Sequence, residues 1–136
     1  MRIGSFCSGY GGLDLAVAAH FDATVAWHSE LDKDCARVLA ARFPGVPNLG
    51  DLTAVLDWRQ VEPVDVVCAG YPCQPYSHAG KRQGDDDDRA IFSYIATAIS
   101  VLRPRILCLE NVSGHLTLGG PGVIGTLTSM GYDDIR

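Results

Sequence analysis

The sequence predicts an α/β domain built on a doubly wound, mostly parallel sheet. Three observations carry that expectation. Short apolar runs of strand length recur at residues 2–7, 23–28, 64–69 and 105–110. Helical patterns fall between them, at 13–19, 32–42, 90–102 and about 121–130. The polar, glycine-bearing stretches follow the carboxyl ends of the strand candidates, where open α/β sheets keep their ligands. A chain of 136 residues sustains one hydrophobic core, so residues 1–136 are expected to form a single domain.

Taken in order, the first strand runs into Ser8-Gly9-Tyr10-Gly11-Gly12, a flexible turn before the first helix. The second strand ends near Glu30, and Asp32 is placed to cap the next helix, which Phe43-Pro44-Gly45 stops. A weak, short strand is expected at 48–50, followed by Asp51. The third strand, Val64-Asp65-Val66-Val67-Cys68-Ala69, is a continuous apolar run of the kind buried on both faces, and it ends at Gly70. From Gly70 to about Arg89 the connection is about twenty residues, far beyond the usual 2–6 of a βα loop, and reads as a functional lid. The last residues, Gly131 to Arg136, read as the approach to a further strand. The fold is therefore expected to be C-terminally incomplete, with the strand at 105–110 on a poorly protected sheet edge.

Composition narrows the setting. At 47% hydrophobic and 20% charged residues, the chain has the make-up of an ordinary globular domain. No apolar run approaches the roughly 20 residues of a membrane span, and the N-terminus lacks a signal-peptide pattern. Five cysteines without repeated spacing point to reduced thiols and a cytoplasmic setting, and no metal site is expected. The net charge of −5 argues against a strong grip on a polyanion by this chain alone. Lys81, Arg82 and Arg89 bracket the lid, but four aspartates, Asp85 to Asp88, lie between them.

Two constellations carry chemistry. In the first, the glycine turn Ser8–Gly12 opens a helix, Glu30 follows the second strand, and Asp51 follows the weak third one. Glycines allow close approach of a ligand, an acid after the second strand reaches a ribose hydroxyl pair, and Asp51 is placed to accept from an adenine amino group. Any one of these alone is equally well a tight turn or a solvated acid; in this order they point to an adenosyl compound. Dinucleotides and S-adenosylmethionine both fit, but the third glycine of the dinucleotide fingerprint is missing, which makes a nicotinamide-dependent oxidoreductase the poorer reading.

The second constellation is Cys73, in Tyr71-Pro72-Cys73-Gln74, with Glu110-Asn111-Val112. Both are expected just past the ends of adjacent strands. A thiolate suits attack on an electron-poor ring carbon, and a neighbouring carboxyl suits donation to a ring nitrogen. The bland alternative makes Cys73 an incidental loop thiol and Glu110 a helix cap. A Cys73–His78 dyad is disfavoured, because five residues of loop spacing carry little geometric information. His20, His28 and His115 are expected at the surface or as caps, and Cys7, Cys35, Cys68 and Cys108 as core thiols.

Across essentially its whole length the chain resembles the N-terminal half of the DNA cytosine-5 methyltransferases. Cys7-Ser8-Gly9-Tyr10-Gly11-Gly12 resembles the motif that cradles the methionine part of S-adenosylmethionine. Glu30, with Leu31 beside it, matches the ribose-binding acid, and Gly50-Asp51-Leu52-Thr53 the adenine-contacting segment. The stretch from Gly70 to Gly84 resembles the catalytic loop almost position for position, and Asp88 to Phe92 and Glu110-Asn111-Val112 follow in the family's order.

The resemblance implies a Rossmann-like S-adenosylmethionine-dependent methyltransferase fold and a DNA substrate. It implies that Cys73 attacks C6 of a flipped cytosine, Glu110 holds N3, and C5 takes the methyl group. Pro72 and Asn111 would order the nucleophile and Gln74 and Ser77 the lid and a phosphate, with Gly70 and Pro72 at the cofactor and Lys81, Arg82 and Arg89 toward DNA. A bacterial or phage origin, with action in the host cytoplasm, follows from the same resemblance, while restriction–modification, phage defence and a regulatory role all stay open.

There are departures. The family's adenine-stacking aromatic is Cys7 here, with Phe6 one place earlier and expected to face the other side; either the affinity for the methyl donor is weaker, or Phe6 substitutes after a local shift. The later arginine-bearing motif, target-recognition region and final helix would lie beyond Arg136, so the chain is either one half of a split enzyme whose partner chain supplies the rest or, the account favoured for the isolated chain, a degenerate or cut fragment that keeps the motifs without activity. Related substrates and roles are tRNA cytosine and a non-catalytic module that binds S-adenosylmethionine or a partner.

Overall fold

The computed structural model describes residues 1–71, 87–113 and 119–134, with the side chains of 87–90 left aside. Four parallel strands form one sheet: β1 (Arg2–Phe6), β2 (Thr24–Ser29), β3 (Val66–Ala69) and β4 (Ile106–Leu109), in the spatial order β2-β1-β3-β4. The helices are α1 (Gly12–Phe21), α2 (Lys33–Arg42), α3 (Asp87–Leu102) and α4 (Gly120–Ser129). Two single-turn 3₁₀ helices, Leu52–Ala54 and Trp58–Gln60, lie before β3. The expected doubly wound α/β architecture is thus present.

Alternation along each strand sorts the core into two layers. Ile3, Val25, Val66 and Cys68 point to one face and pack with Val17 of α1, with Phe43, Ile106 and Cys108 against them. Phe6, Trp27, Val67 and Ala69 point to the other and pack with Trp58, Ile95, Ile99 and Leu127. The second layer centres on aromatic rings: Phe6 meets Trp27 and Trp58 edge-on, at centroid distances of 5.2 and 5.3 Å. Trp27 also donates its indole N–H to Glu62 O at 3.0 Å, which satisfies its polar end.

Gly4 exists for this packing. A Cβ there would lie 2.2 Å from Cζ2 of Trp27, a ring that is fully buried and has nowhere to retreat. Gly4→Ala is therefore expected to cost about 1–3 kcal/mol through overpacking. A urea-unfolding midpoint unchanged from the parent chain would contradict this account of the core.

The element ends have local causes. β1 stops at Phe6 because Cys7 adopts a left-handed φ of 49°. Asp32 caps α2, accepting from the backbone N–H groups of Asp34 and Cys35 at 2.9 and 2.8 Å. The expected strand at 48–50 is a single parallel bridge, His28 to Asn48, which partly covers the outer edge of β2. At the opposite edge β4 pairs, among the described residues, with β3 alone, and its residues are half-buried, as expected of the strand at 105–110.

Two expectations are corrected. His28 is not a surface residue: it lies inside β2 and is 1% exposed. Phe6 cannot stand in for the missing adenine-stacking aromatic, because it is wholly buried between the two tryptophans. Of the cysteines described, Cys68 is buried, while Cys7, Cys35 and Cys108 are intermediate. No helix among the described residues is long and apolar enough to cross a membrane, and no cluster of metal-ligating side chains occurs among them.

Candidate active site

All four strands deliver their carboxyl ends to one rim of the sheet. At the β1 end, Cys7 N–H donates to Ser29 O at 2.8 Å, which ties the loop to the end of β2. The loop then turns through Gly9 and Gly11, both left-handed with φ of 54° and 77°. Gly9 borders open space, with no atom within 4 Å of the position its Cβ would take. Gly11 does not: a Cβ there would sit 2.6 Å from Phe43 Cε2 and 3.1 Å from Leu39 Cδ2. The first glycine thus leaves room for a ligand, and the second lets the loop close on α2. Gly12, with no atom within 4 Å of its Cβ position, opens α1.

Glu30 organises the next part. Its carboxylate accepts from Gly9 N–H at 2.7 Å and from Asp32 N–H at 2.8 Å, one on each oxygen. Asn48, which the sequence reading passed over, holds the backbone of Glu30 from both sides: its Oδ1 accepts from Glu30 N–H and its Nδ2 donates to Glu30 O, each at 3.0 Å. The same Oδ1 accepts from Gly50 N–H at 3.1 Å, and Ser29 Oγ donates to Gly50 O at 2.9 Å. An asparagine in a Pro-Asn-Leu-Gly turn was the available signal. Asp51 caps the first 3₁₀ turn, and both of its bonds, from the N–H and hydroxyl of Thr53, fall on Oδ1. Leu52 is buried beneath it, whereas Tyr10 and Leu31 flank the rim at 59% and 71% exposure.

Cys7 is not an activated thiol. Burial, and then the charge of Glu30, push its pKa up from 9.0 to about 11. The neutral thiol is the form the fold prefers, so the stability it contributes is present below pH 9 and is lost as pH rises through about 11. Iodoacetamide alkylation of Cys7 in the folded chain is expected to reach half its maximal rate near pH 11, and near pH 9 after unfolding. Equal midpoints in the two states would contradict it.

The second half of the rim lies where β3 and β4 run side by side, paired in register from Val66–Ile106 to Ala69–Leu109. Glu110 N–H donates to Ala69 O at 2.9 Å, and Asn111 Nδ2 donates to Tyr71 O at 3.1 Å. A Cβ on Gly70 would come within 3.6 Å of Glu110 Oε2 and 3.7 Å of Cys7 O. The three strand ends β1, β3 and β4 therefore converge at Gly70. Pro72, Cys73, Gln74, Ser77, Lys81 and Arg82 lie outside the described residues, and Arg89 is described only as backbone in the first turns of α3.

A glycine turn after β1, a carboxylate after β2 and polar residues after β3 and β4 define a Rossmann-like domain with its ligand edge on one rim. The chain belongs to the C-5 cytosine-specific DNA methylase family, whose model matches residues 1–133. It is 36% identical over 131 residues to the type II methyltransferase M.NgoBI of Neisseria gonorrhoeae, covering 92% of this chain and 40% of that protein. It is 37% identical over 124 residues to M.AquIA of Picosynechococcus, covering 82% of this chain and 48% of that one. A DNA N-6-adenine-methyltransferase of Escherichia phage P1 is 36% identical over 127 residues, which cover 84% of this chain but 17% of the phage protein.

Among solved structures, an Escherichia coli protein described as a prophage-encoded DNA modification methyltransferase shares the fold with a TM-score of 0.75 and 23% identity, over 96% of this chain and 37% of that one. DNMT2 of Spodoptera frugiperda does so with a TM-score of 0.67 and 23% identity, over 95% and 41% of the two chains. The chain spans less than half the length of each of these relatives. Members of the family use S-adenosylmethionine and act on DNA.

Proposed function

We propose that residues 1–136 are part of the catalytic domain of an enzyme that methylates C5 of cytosine in DNA. The observation that carries this reading is the convergence at Gly70: β3, which leads into Tyr71-Pro72-Cys73-Gln74, lies beside β4, which leads into Glu110-Asn111, and Asn111 bonds to Tyr71 O. The two segments that lead to Cys73 and Glu110, distant in sequence, thus leave the sheet side by side.

The chain's own residues fit an adenosyl donor. Gly9 leaves an open cradle, Glu30 presents a carboxylate held by the Gly9 and Asp32 N–H groups while Asn48 holds its backbone, and Asp51 and Leu52 follow at the next turn. In this reading Cys7 to Gly12 would hold the methionine part, Glu30 and Leu31 the ribose, and Asp51 and Leu52 the adenine, with Gly70 and Pro72 closing the site. When bound, S-adenosylmethionine supplies an electrophilic methyl group.

Cys73 Sγ adds to C6 of the flipped base while the Glu110 carboxyl donates its proton toward N3, which makes C5 nucleophilic. After methylation a solvent base would take the C5 proton as the C6–Sγ bond breaks and releases the Cys73 thiolate, and N3 would return its proton to the Glu110 carboxylate. Pro72 and Asn111 hold the nucleophile's loop, Gln74 and Ser77 steady the lid, and Lys81, Arg82 and Arg89 meet phosphates. The acidic chain would gain its firm hold on DNA from the part of such an enzyme that residues 1–136 do not span. A restriction–modification role in a bacterial or phage setting agrees with the type II relatives.

Calorimetric titration tests the donor site. The chain is expected to bind S-adenosylhomocysteine in preference to NAD, and Glu30→Ala to weaken that binding about 10–100-fold, the scale of hydrogen bonds to a charged group. Equal affinity in parent and variant, or a preference for NAD, would overturn the reading.

A further inference from the structure

Beneath the glycine loop lies a polar cluster that the chemistry above does not use. Ser5 on β1, Asp14 on α1 and His28 on β2 are each 1% exposed. Ser5 and His28 are register partners across the β1–β2 pair, so their side chains emerge on one face, the face that α1 covers. Ser5 Oγ donates to Asp14 Oδ1 at 2.7 Å, and Asp14 Oδ2 lies 3.3 Å from His28 Nδ1. Asp14 Oδ2 and both ring nitrogens of His28 are buried without a hydrogen bond among the described residues.

A carboxylate and an imidazole this far from water are costly unless they face each other, and equally sized apolar residues would fill the space at lower cost. What the cluster adds over an apolar filling is direction. It ties α1 to both strands just below the points where the loop and Glu30 emerge. Ser8 Oγ donates to Ser5 O at 3.2 Å, one side of the loop's base. On the other side the His28 ring packs at 4.9 Å from Phe43, the same ring that Gly11 approaches. Two residues past His28, Glu30 takes the Gly9 N–H.

We infer that Asp14 is a positioning residue for the donor site, holding β1, β2 and α1 so that the Gly9 N–H and the Glu30 carboxylate stand preorganised for the ligand. This rests on the reading of the loop as the adenosyl site. Asp14 touches no ligand; it acts through Ser5 and His28 on the loop they carry.

Residue-resolved hydrogen exchange by NMR, together with S-adenosylhomocysteine titration, separates this role from plain stabilisation. In Asp14→Ala the Gly9 and Gly11 amides are expected to exchange at least about tenfold faster, while Val67 and Cys68, which report opening of the core, do not follow. Asp14→Asn keeps an acceptor for Ser5 and a polar group toward His28, so its loop amides and its affinity are expected to stay within about threefold of the parent. Affinity in Asp14→Ala is expected to fall about tenfold or more. Should Asp14→Ala fail to fold, Ser5→Ala is expected to accelerate the same two amides. Loop amides that accelerate no more than Val67 and Cys68, or an Asn variant as impaired as the Ala variant, overturn the inference. A parent chain that binds no S-adenosylhomocysteine sinks the donor-site reading alone, and the exchange rates still decide whether Asp14 orders the loop.

Discussion

Gly11→Ala is expected to destabilise the chain by about 2–5 kcal/mol and to remove binding of the methyl donor. Two costs add here. The φ of 77° is a left-handed conformation that costs an L-residue about 1–2 kcal/mol. The new Cβ would also lie 2.6 Å from Phe43 and 3.1 Å from Leu39, an overpacking worth about 1–3 kcal/mol. Phe43 cannot retreat freely, because its ring packs against the buried His28. Relief must come from the loop, which also presents the Gly9 N–H to Glu30. The neighbouring Gly12 provides the control: its Cβ position meets no atom within 4 Å and its φ is ordinary, so Gly12→Ala is expected to be neutral or slightly stabilising. Urea titration of the two variants checks both; equal midpoints would show that Gly11 does not close the loop on α2.

Cys73→Ser is expected to lower methyl transfer to DNA by about 10⁶-fold, the scale on which loss of a covalent nucleophile acts. Glu110→Gln is expected to cost about 10²–10⁴-fold, the range for a positioned general acid. The relevant assay is tritiated methyl transfer by the chain combined with a C-terminal half from a relative. The unfolding midpoint of Glu110→Gln should match the parent, because Glu110 is exposed and its backbone N–H, which bonds to Ala69 O, is retained. A Cys73→Ser variant that still turns over at a comparable rate would leave Cys73 as the incidental loop thiol that is the bland alternative.

Much of the fold was legible because β3 and β4 are continuous apolar runs and helical patterns separate the strand candidates. The cap at Asp32 was legible for a local reason as well, since a short acid before a helical run accepts from the next free N–H groups. What failed depended on tertiary pairing. His28 read as a polar strand end, but the register shift between Ile3 and Gly4 leaves Ala26 extra in β2 and turns His28 inward, toward Asp14. The option that Phe6 replaces the missing aromatic failed because its ring is buried against Trp58, which comes from a short 3₁₀ turn without a periodic signature. The expected strand at 48–50 shrank to one bridge because Gly50 turns through a φ of 72° and the Asn48 side chain is spent on the backbone of Glu30. Of the site, the order of glycine turn, Glu30, Asp51 and Glu110 was readable. The second role of Gly11, as the point of closest approach to α2, was not, because it takes Leu39 and Phe43 to reveal it.

A covalent trap tests the central claim most directly. The chain, alone and with a C-terminal half from a relative, would be incubated with S-adenosylmethionine and duplex DNA carrying 5-fluorocytosine, whose fluorine blocks the final elimination. Denaturing mass spectrometry then locates any adduct. The account predicts a DNA adduct on Cys73 that carries the transferred methyl group and is lost in Cys73→Ser. An adduct on Cys7, Cys35, Cys68 or Cys108, or none in either mixture from a chain shown to be folded, would contradict it.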